Sequence, residues 1–234
     1  NAFTDREMTC FYCNVPGDAA PAAAEVLADL STAAVFRSED LEKERQVILN
    51  EIFASEDSPE EHAFQVFLER LWGEHPLSRS IAGKAHEVEH INHDSLEYFY
   101  RRRLNPSCLT VSVAGNMNVE KVAAAIDKAL ERSDGRWADA QTSTLDPRSK
   151  PVNHGGVWRL PHSCQQIYLY GGRVMPLAHT ARNYYALTLL STIVGESMSS
   201  RLFQGLREER GLCYSIGSFR MHLSDSWLWS VFAN

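Results

Sequence analysis

The stretch SEDLEKERQVILNEIFASE, Ser38–Glu56, reads as one long helix. Ser38 is suited to the N-cap, with Glu39 and Asp40 in the first turn, where negative charge meets unpaired backbone N–H groups. Leu41, Ile48 and Ile52 recur at helical spacing and form an apolar stripe. Glu44 and Glu51 are seven residues apart, about two turns, so both carboxylates project from one side. Val47 and Ile48 lie between them and make that side partly apolar. Carboxylates in this setting are either solvated residues at the flank of a stripe or ligands for something positive.

Outward from this helix, residues 2–15 have the mixed apolar and polar character of a strand, closed by Pro16-Gly17. Asp18 can cap a helix running to about Ala34, with Pro21 tolerated in its first turn. Ser58-Pro59 opens another helix, with Phe64, Phe67, Leu68 and Leu71 as its core face. After a loop at 73–83, short helical segments are expected near 84–91 and over Asp94–Arg103. Cys108–Ala114 reads as a buried strand and Val119–Arg132 as a helix. Residues 133–155 are rich in Ser, Asp, Pro, Gly and Thr and read as a linker region. Beyond it, Val157–Leu160 and Gln166–Tyr170 are expected as strands. Thr180–Val194 and Ser200–Arg210 are expected as helices, the second ended by Gly211. Tyr214–Leu223 and Trp227–Phe232 complete the set as strands around the Ser224-Asp225 turn. Strands and helices alternate without the regular rhythm of a parallel sheet, so the fold class is α+β, with helices packed on antiparallel sheets.

The 234 residues carry a net charge of −7, the wrong sign for a nucleic-acid surface. That balance suits basic peptides. No apolar run reaches the length of a membrane span. Five cysteines without framework spacing fit a reducing compartment, and a cytoplasmic location is expected. Cys10 and Cys13 form a C-x-x-C pair, but two positions three apart on a strand face opposite sides, and no second pair completes a zinc ribbon.

Three blocks, NAFTDREMTCFY at 1–12, the acidic helix at 38–56 and SSRLFQGLREERGLCYSIGSF at 199–219, occur in an order that resembles the pitrilysin/insulinase family of zinc metallopeptidases, which includes the mitochondrial processing peptidases. The first block resembles that family's N-A-x-T strand. The resemblance implies that Glu51 is the third zinc ligand and that Glu44 is its supporting carboxylate, with zinc the cofactor of the complete protein. It implies that a peptide substrate in extended conformation adds as a strand beside Asn1, Ala2, Phe3 and Thr4, and that Arg207 and Tyr214 bind substrate. It also implies two related α+β units: 1–140, then a linker at 141–155, then the start of a second unit at 156–234, which is incomplete. Pairing with another such half, as a homo- or heterodimer, follows from the same likeness.

In that family two histidines and the general-base glutamate come from an H-x-x-E-H helix that precedes the N-A-x-T strand. The sequence here starts at Asn1, so the expectation is a part of a zinc endopeptidase that is inactive alone; the alternative is a non-catalytic peptide-binding or structural subunit. His86-Glu-Val-Glu-His90 satisfies H-x-x-E-H literally. It lies after the acidic helix rather than before the N-A-x-T strand, amid polar residues, and reads as a solvated surface turn.

Overall fold

A computed structural model describes residues 1–104, 108–132, 154–175 and 180–234. They gather into two compact units that interleave along the chain: Asn1–Leu49 with Lys84–Pro147, and Asn50–Gly83 with Arg148–Asn234. The linker expected at 141–155 lies outside the described residues except for its last two.

The first unit opens with a hairpin rather than a single strand over 2–15. β1 (Ala2–Thr4) pairs antiparallel with β2 (Thr9–Phe11), Phe3 opposite Cys10. The turn forms because the Asp5 carboxylate accepts from the Glu7 and Met8 backbone N–H groups, both at 2.8 Å. Helix α1 (Ala20–Thr32) has Pro21 in its first turn. Asp18 does not cap it but sits in a 3₁₀ turn at Gly17–Ala19. The 20-residue helix α2 (Ser38–Asp57) begins in this unit, with Ser38 its first residue; the Asp40 and Leu41 N–H groups donate to the Arg37 carbonyl. α4 (Ala85–Glu89) is short. α5 (His93–Arg103) is capped by Asn92, which accepts from the Ser95 N–H at 2.9 Å. α6 (Val119–Glu131) packs along α1 with Val122 and Ala129 buried, and Arg132 pairs with Glu25 at 2.7 Å. Tyr100 ties α5 to the end of α1: its hydroxyl donates to the Ser31 carbonyl at 3.1 Å and accepts from the Ala34 N–H at 3.0 Å.

Residues 108–114 do not form the buried strand that their alternation suggests. They join no ladder, and Val111 and Val113 are exposed. A strand needs a neighbour to take its N–H and C=O groups, and apolar alternation alone does not supply one.

The second unit is a three-stranded antiparallel sheet, order β3 (Leu169–Met175), β5 (Trp227–Ala233), β4 (Ile216–His222), with helices on both faces. On one face lies α3 (Pro59–Trp72), whose Leu68, Leu71 and Trp72, with Leu77 of the following turn, meet Val174, Leu223 and Leu228. Phe64 and Phe67 extend this contact onto Tyr170, at ring distances of 5.5 and 5.7 Å. This packing is why residues 50–83 group with the C-terminal sheet. The expected strand at 157–160 is absent: 154–168 is irregular and Val157 is 90% exposed. The next strand falls later than Gln166–Tyr170, because Gly171-Gly172 lies within the ladder, opposite Val231 and Ser230, rather than ending it.

On the other face, α7 (Ala181–Ser191) continues into a π-helical turn at Thr192–Glu196. Its buried edge is narrow, formed by Leu187, Ser191 and Gly195. A Cβ on Gly195 would stand 2.4 Å from the Ser218 nitrogen, so only glycine lets helix and strand approach this closely. Tyr184, Leu190 and Ile193 on the same helical segment are exposed. The segment expected as a plain helix over 200–210 contains a second π-helical turn, Phe203–Glu208, and ends at Gly211, whose φ is +62°.

Candidate functional site

Along α2, Leu49 and Ile52 are buried and Leu41, Arg45 and Ile48 are half-buried. Along the flank of this stripe Glu44, Val47 and Glu51 are all exposed. Glu44 and Glu51 therefore share one outward face, as their spacing predicts. Among the described residues neither carboxylate has a hydrogen bond or an ion pair. The orientation of this part of α2 is set by Arg45, a residue the sequence did not single out. Its guanidinium donates to the carbonyls of Val88, Glu89 (3.2 Å) and Ile91 (2.7 Å) at the end of α4, and it pairs with Glu42 at 3.0 Å. A cation at a helix C-terminus satisfies carbonyls that have no partner within the helix. The Arg45 bonds, with the Gln46 amide, hold the Glu42 carboxyl below the ordinary range.

His86 lies within α4, whereas His90 is the residue after its end and turns its Nδ1 onto the His86 carbonyl at 2.6 Å. Val88 between them is the residue that packs inward. Among the described residues no three His, Cys, Asp or Glu side chains gather as a metal cluster. Cys10 and Cys13 are both free thiols.

The Asn1–Thr4 strand is paired on one side only, within a two-stranded sheet. The Asn1 nitrogen donates to the Tyr12 carbonyl at 3.0 Å, and the Tyr12 N–H returns a bond to the Asn1 carbonyl at 2.9 Å. The ladder closes around Phe3, Thr4 and Ala2 and leaves the outer edge of β1 unpaired among the described residues. An unpaired edge carries main-chain donors and acceptors for a further strand.

Arg207 and Tyr214, at the helix-to-strand junction of the second unit, are brought together. The Arg207 guanidinium carbon lies 5.0 Å from the Tyr214 ring centre and 4.7 Å from that of Phe203. The Arg207 carbonyl accepts from the Gly211 N–H at 3.0 Å, and the left-handed Gly211 turns the chain back toward the strand. The Tyr214 N–H donates to the Asn234 carbonyl at 2.9 Å, which fixes its backbone to the end of β5. The sequence did not single out Phe203, although its four-residue spacing from Arg207 is the usual signal for neighbours on a helix. Asn1–Thr4 and the Arg207–Tyr214 pair belong to different units, and the division falls within α2 between Glu44 and Glu51.

Residues 1–85 match the family model described as insulinase, peptidase family M16, and residues 90–234 match that described as peptidase M16 inactive domain. An uncharacterized zinc protease of Streptomyces coelicolor is 35% identical over all of this chain, which covers 51% of that protein; one of Bacillus subtilis is 31% identical over 99% of the chain and 55% of its own length. The chain thus spans about half the length of the curated relatives it matches. Two crystal structures share the fold. A peptidase M16 inactive domain from Pseudomonas fluorescens has a TM-score of 0.79 at 18% identity, covering 90% of this chain and 50% of that one. A protease from Helicobacter pylori has a TM-score of 0.77 at 21% identity, covering 92% and 52%. With both family models matched, one after the other along the chain, this protein belongs to peptidase family M16, the insulinase family of zinc peptidases.

Proposed function

We propose that this chain is the part of a zinc-dependent metalloendopeptidase that completes the metal site with a carboxylate and holds a peptide in extended form. The observation that carries the reading is the pair Glu44 and Glu51, exposed on one face of a 20-residue helix and without a partner among the described residues. Glu51 is the metal ligand and Glu44 the supporting carboxylate. A catalytic zinc requires three protein ligands and an open position. These residues fit one ligand of that set, so the two histidines come from the part of the full-length protein that this chain does not span. Zinc, when bound, supplies a Lewis acid toward the scissile carbonyl. The chain's own residues do the rest of the work assigned here. The outer edge of Asn1–Thr4 takes the peptide backbone as an added strand, independent of its sequence. Arg207 and the Tyr214 hydroxyl donate to substrate carbonyl or carboxylate oxygens.

The match of residues 90–234 to a domain described as inactive favours a second reading, a non-catalytic peptide-binding subunit that pairs with another half of the same family. Turnover separates what the chain can do alone from what it contributes. The 234-residue chain, incubated with added zinc and a fluorogenic basic peptide, is expected to show no hydrolysis. Chelator-sensitive turnover well above that of Glu51→Gln would sink the division of ligands proposed here.

A further inference from the structure

We propose that Phe203 is a positioning residue for substrate: its ring holds the Arg207 guanidinium in place against Tyr214. The proposal rests on the peptide-binding reading of Arg207 and Tyr214 given above and adds to it the group that orients them.

The geometry has three parts. Phe203 is the first residue of the π-helical turn Phe203–Glu208, and Arg207 follows four residues later on the same side. The guanidinium carbon sits 4.7 Å from the Phe203 ring centre and 5.0 Å from the Tyr214 ring centre, both within the range in which the negative face of an aromatic ring attracts a cation. Tyr214 is anchored through its backbone to Asn234, and the Arg207 guanidinium lies within reach of both rings. Its charge is not consumed by this arrangement. Among the described residues its one ion pair is long, Nε to the Glu208 Oε1 at 3.9 Å, and Tyr214 is 79% exposed. Attraction of the guanidinium charge to a ring does not consume its N–H donors, which stay available for a planar acceptor. An arginine already ordered by a ring loses less freedom when a peptide oxygen arrives than one waving in water. A π-helical turn inside a helix is a frequent feature of functional sites, and here it carries both residues.

The test uses the 234-residue chain and two readouts. The first is the Arg207 Nε–Hε resonance, assigned by its loss in Arg207→Lys. Ring currents should place it away from the other arginines in the wild type. Phe203→Leu should return it toward the position of an unstacked arginine, and Phe203→Tyr should keep it. The second is the anisotropy of a fluorescein-labelled basic peptide: Phe203→Leu should weaken binding by about two- to fivefold, and Phe203→Tyr should restore it. An Arg207 resonance unmoved by Phe203→Leu overturns the proposal, as does a resonance that moves with no change in peptide affinity while Arg207→Ala weakens binding. If wild type and Arg207→Ala bind the peptide equally, it is the peptide reading of the site that fails, and the resonance still decides whether Phe203 positions Arg207.

Discussion

Gly195→Ala tests the closest helix-to-strand contact in the second unit. The added Cβ would meet the Ser218 nitrogen at 2.4 Å, the Gly217 carbonyl carbon at 2.7 Å and the Ser218 Cβ at 2.9 Å. Two of these atoms are backbone of β4 and cannot swing aside, so the π-helical turn must move off the sheet. That movement opens a buried pair of hydrogen bonds. Ser218 Oγ donates to the Ser191 carbonyl at 2.8 Å, which leaves the Ser191 hydroxyl to donate to Ser218 Oγ at 2.9 Å. Both serines are buried, Ser191 fully. Overpacking costs about 1–3 kcal/mol, and leaving buried polar groups unpaired costs about 1–3 kcal/mol more. The better helix propensity of alanine returns about 0.5–1 kcal/mol. The net loss is about 1–5 kcal/mol, a fall of about 2–20 °C in Tm for a chain of this size. Thermal unfolding followed by circular dichroism measures it. Gly205→Ala is the control, because a Cβ there meets nothing within 4 Å, and it should leave Tm unchanged or slightly raised. If Gly195→Ala melts within about 1 °C of wild type, like the control, the close contact of α7 with β4 is wrong.

Leu68→Ala removes the centre of the α3–sheet core, where Leu68 has no exposed surface, and should cost about 2–5 kcal/mol in chemical denaturation; a cost below about 1 kcal/mol would place α3 off the sheet. Burial, with Glu60 and Tyr168 nearby, pushes the Tyr170 hydroxyl up to about 12. The unfolded chain releases that proton near pH ~10, so the folded form binds more protons between the two values and stability falls as pH rises through them. The contribution is full below about pH 10 and lost by about pH 12. Tyr170→Phe should therefore show a smaller alkaline drop in Tm than wild type, and equal drops would contradict the burial of this hydroxyl.

The helices were legible because their signals are local. Ser58-Pro59 followed by Phe64, Phe67, Leu68 and Leu71 gave α3 both its start and its core face. The spacing of Glu44 and Glu51 placed them on one side of α2. Sheet membership is not local. Leu109, Val111 and Val113 alternate as a strand would, yet the stretch joins no ladder. Gly171-Gly172 reads as a break but runs through the middle of β3. The π-helical turns have no signature in residue type, since they differ from an α-helix by one residue in the hydrogen-bonding step. Arg45 was invisible for a similar reason: its acceptors lie 43 to 46 residues along the chain. Of the candidate site, the sequence located the pairs Glu44–Glu51 and Arg207–Tyr214, whereas Phe203, 4.7 Å from Arg207, was marked only by a four-residue spacing common to any helix.

The central claim concerns Glu51, and zinc content in the full-length protein tests it most directly. Glu51→Gln keeps the shape of the side chain and removes the anionic ligand, whereas Glu44→Gln alters a carboxylate that only supports the site. After dialysis against metal-free buffer, wild type should retain zinc in stoichiometric amount and Glu51→Gln should lose it. Glu44→Gln should retain zinc with affinity lower by about 10–100-fold. Full zinc in Glu51→Gln together with loss in Glu44→Gln would reverse the two assignments, and full zinc in both would return this face of α2 to a solvated flank.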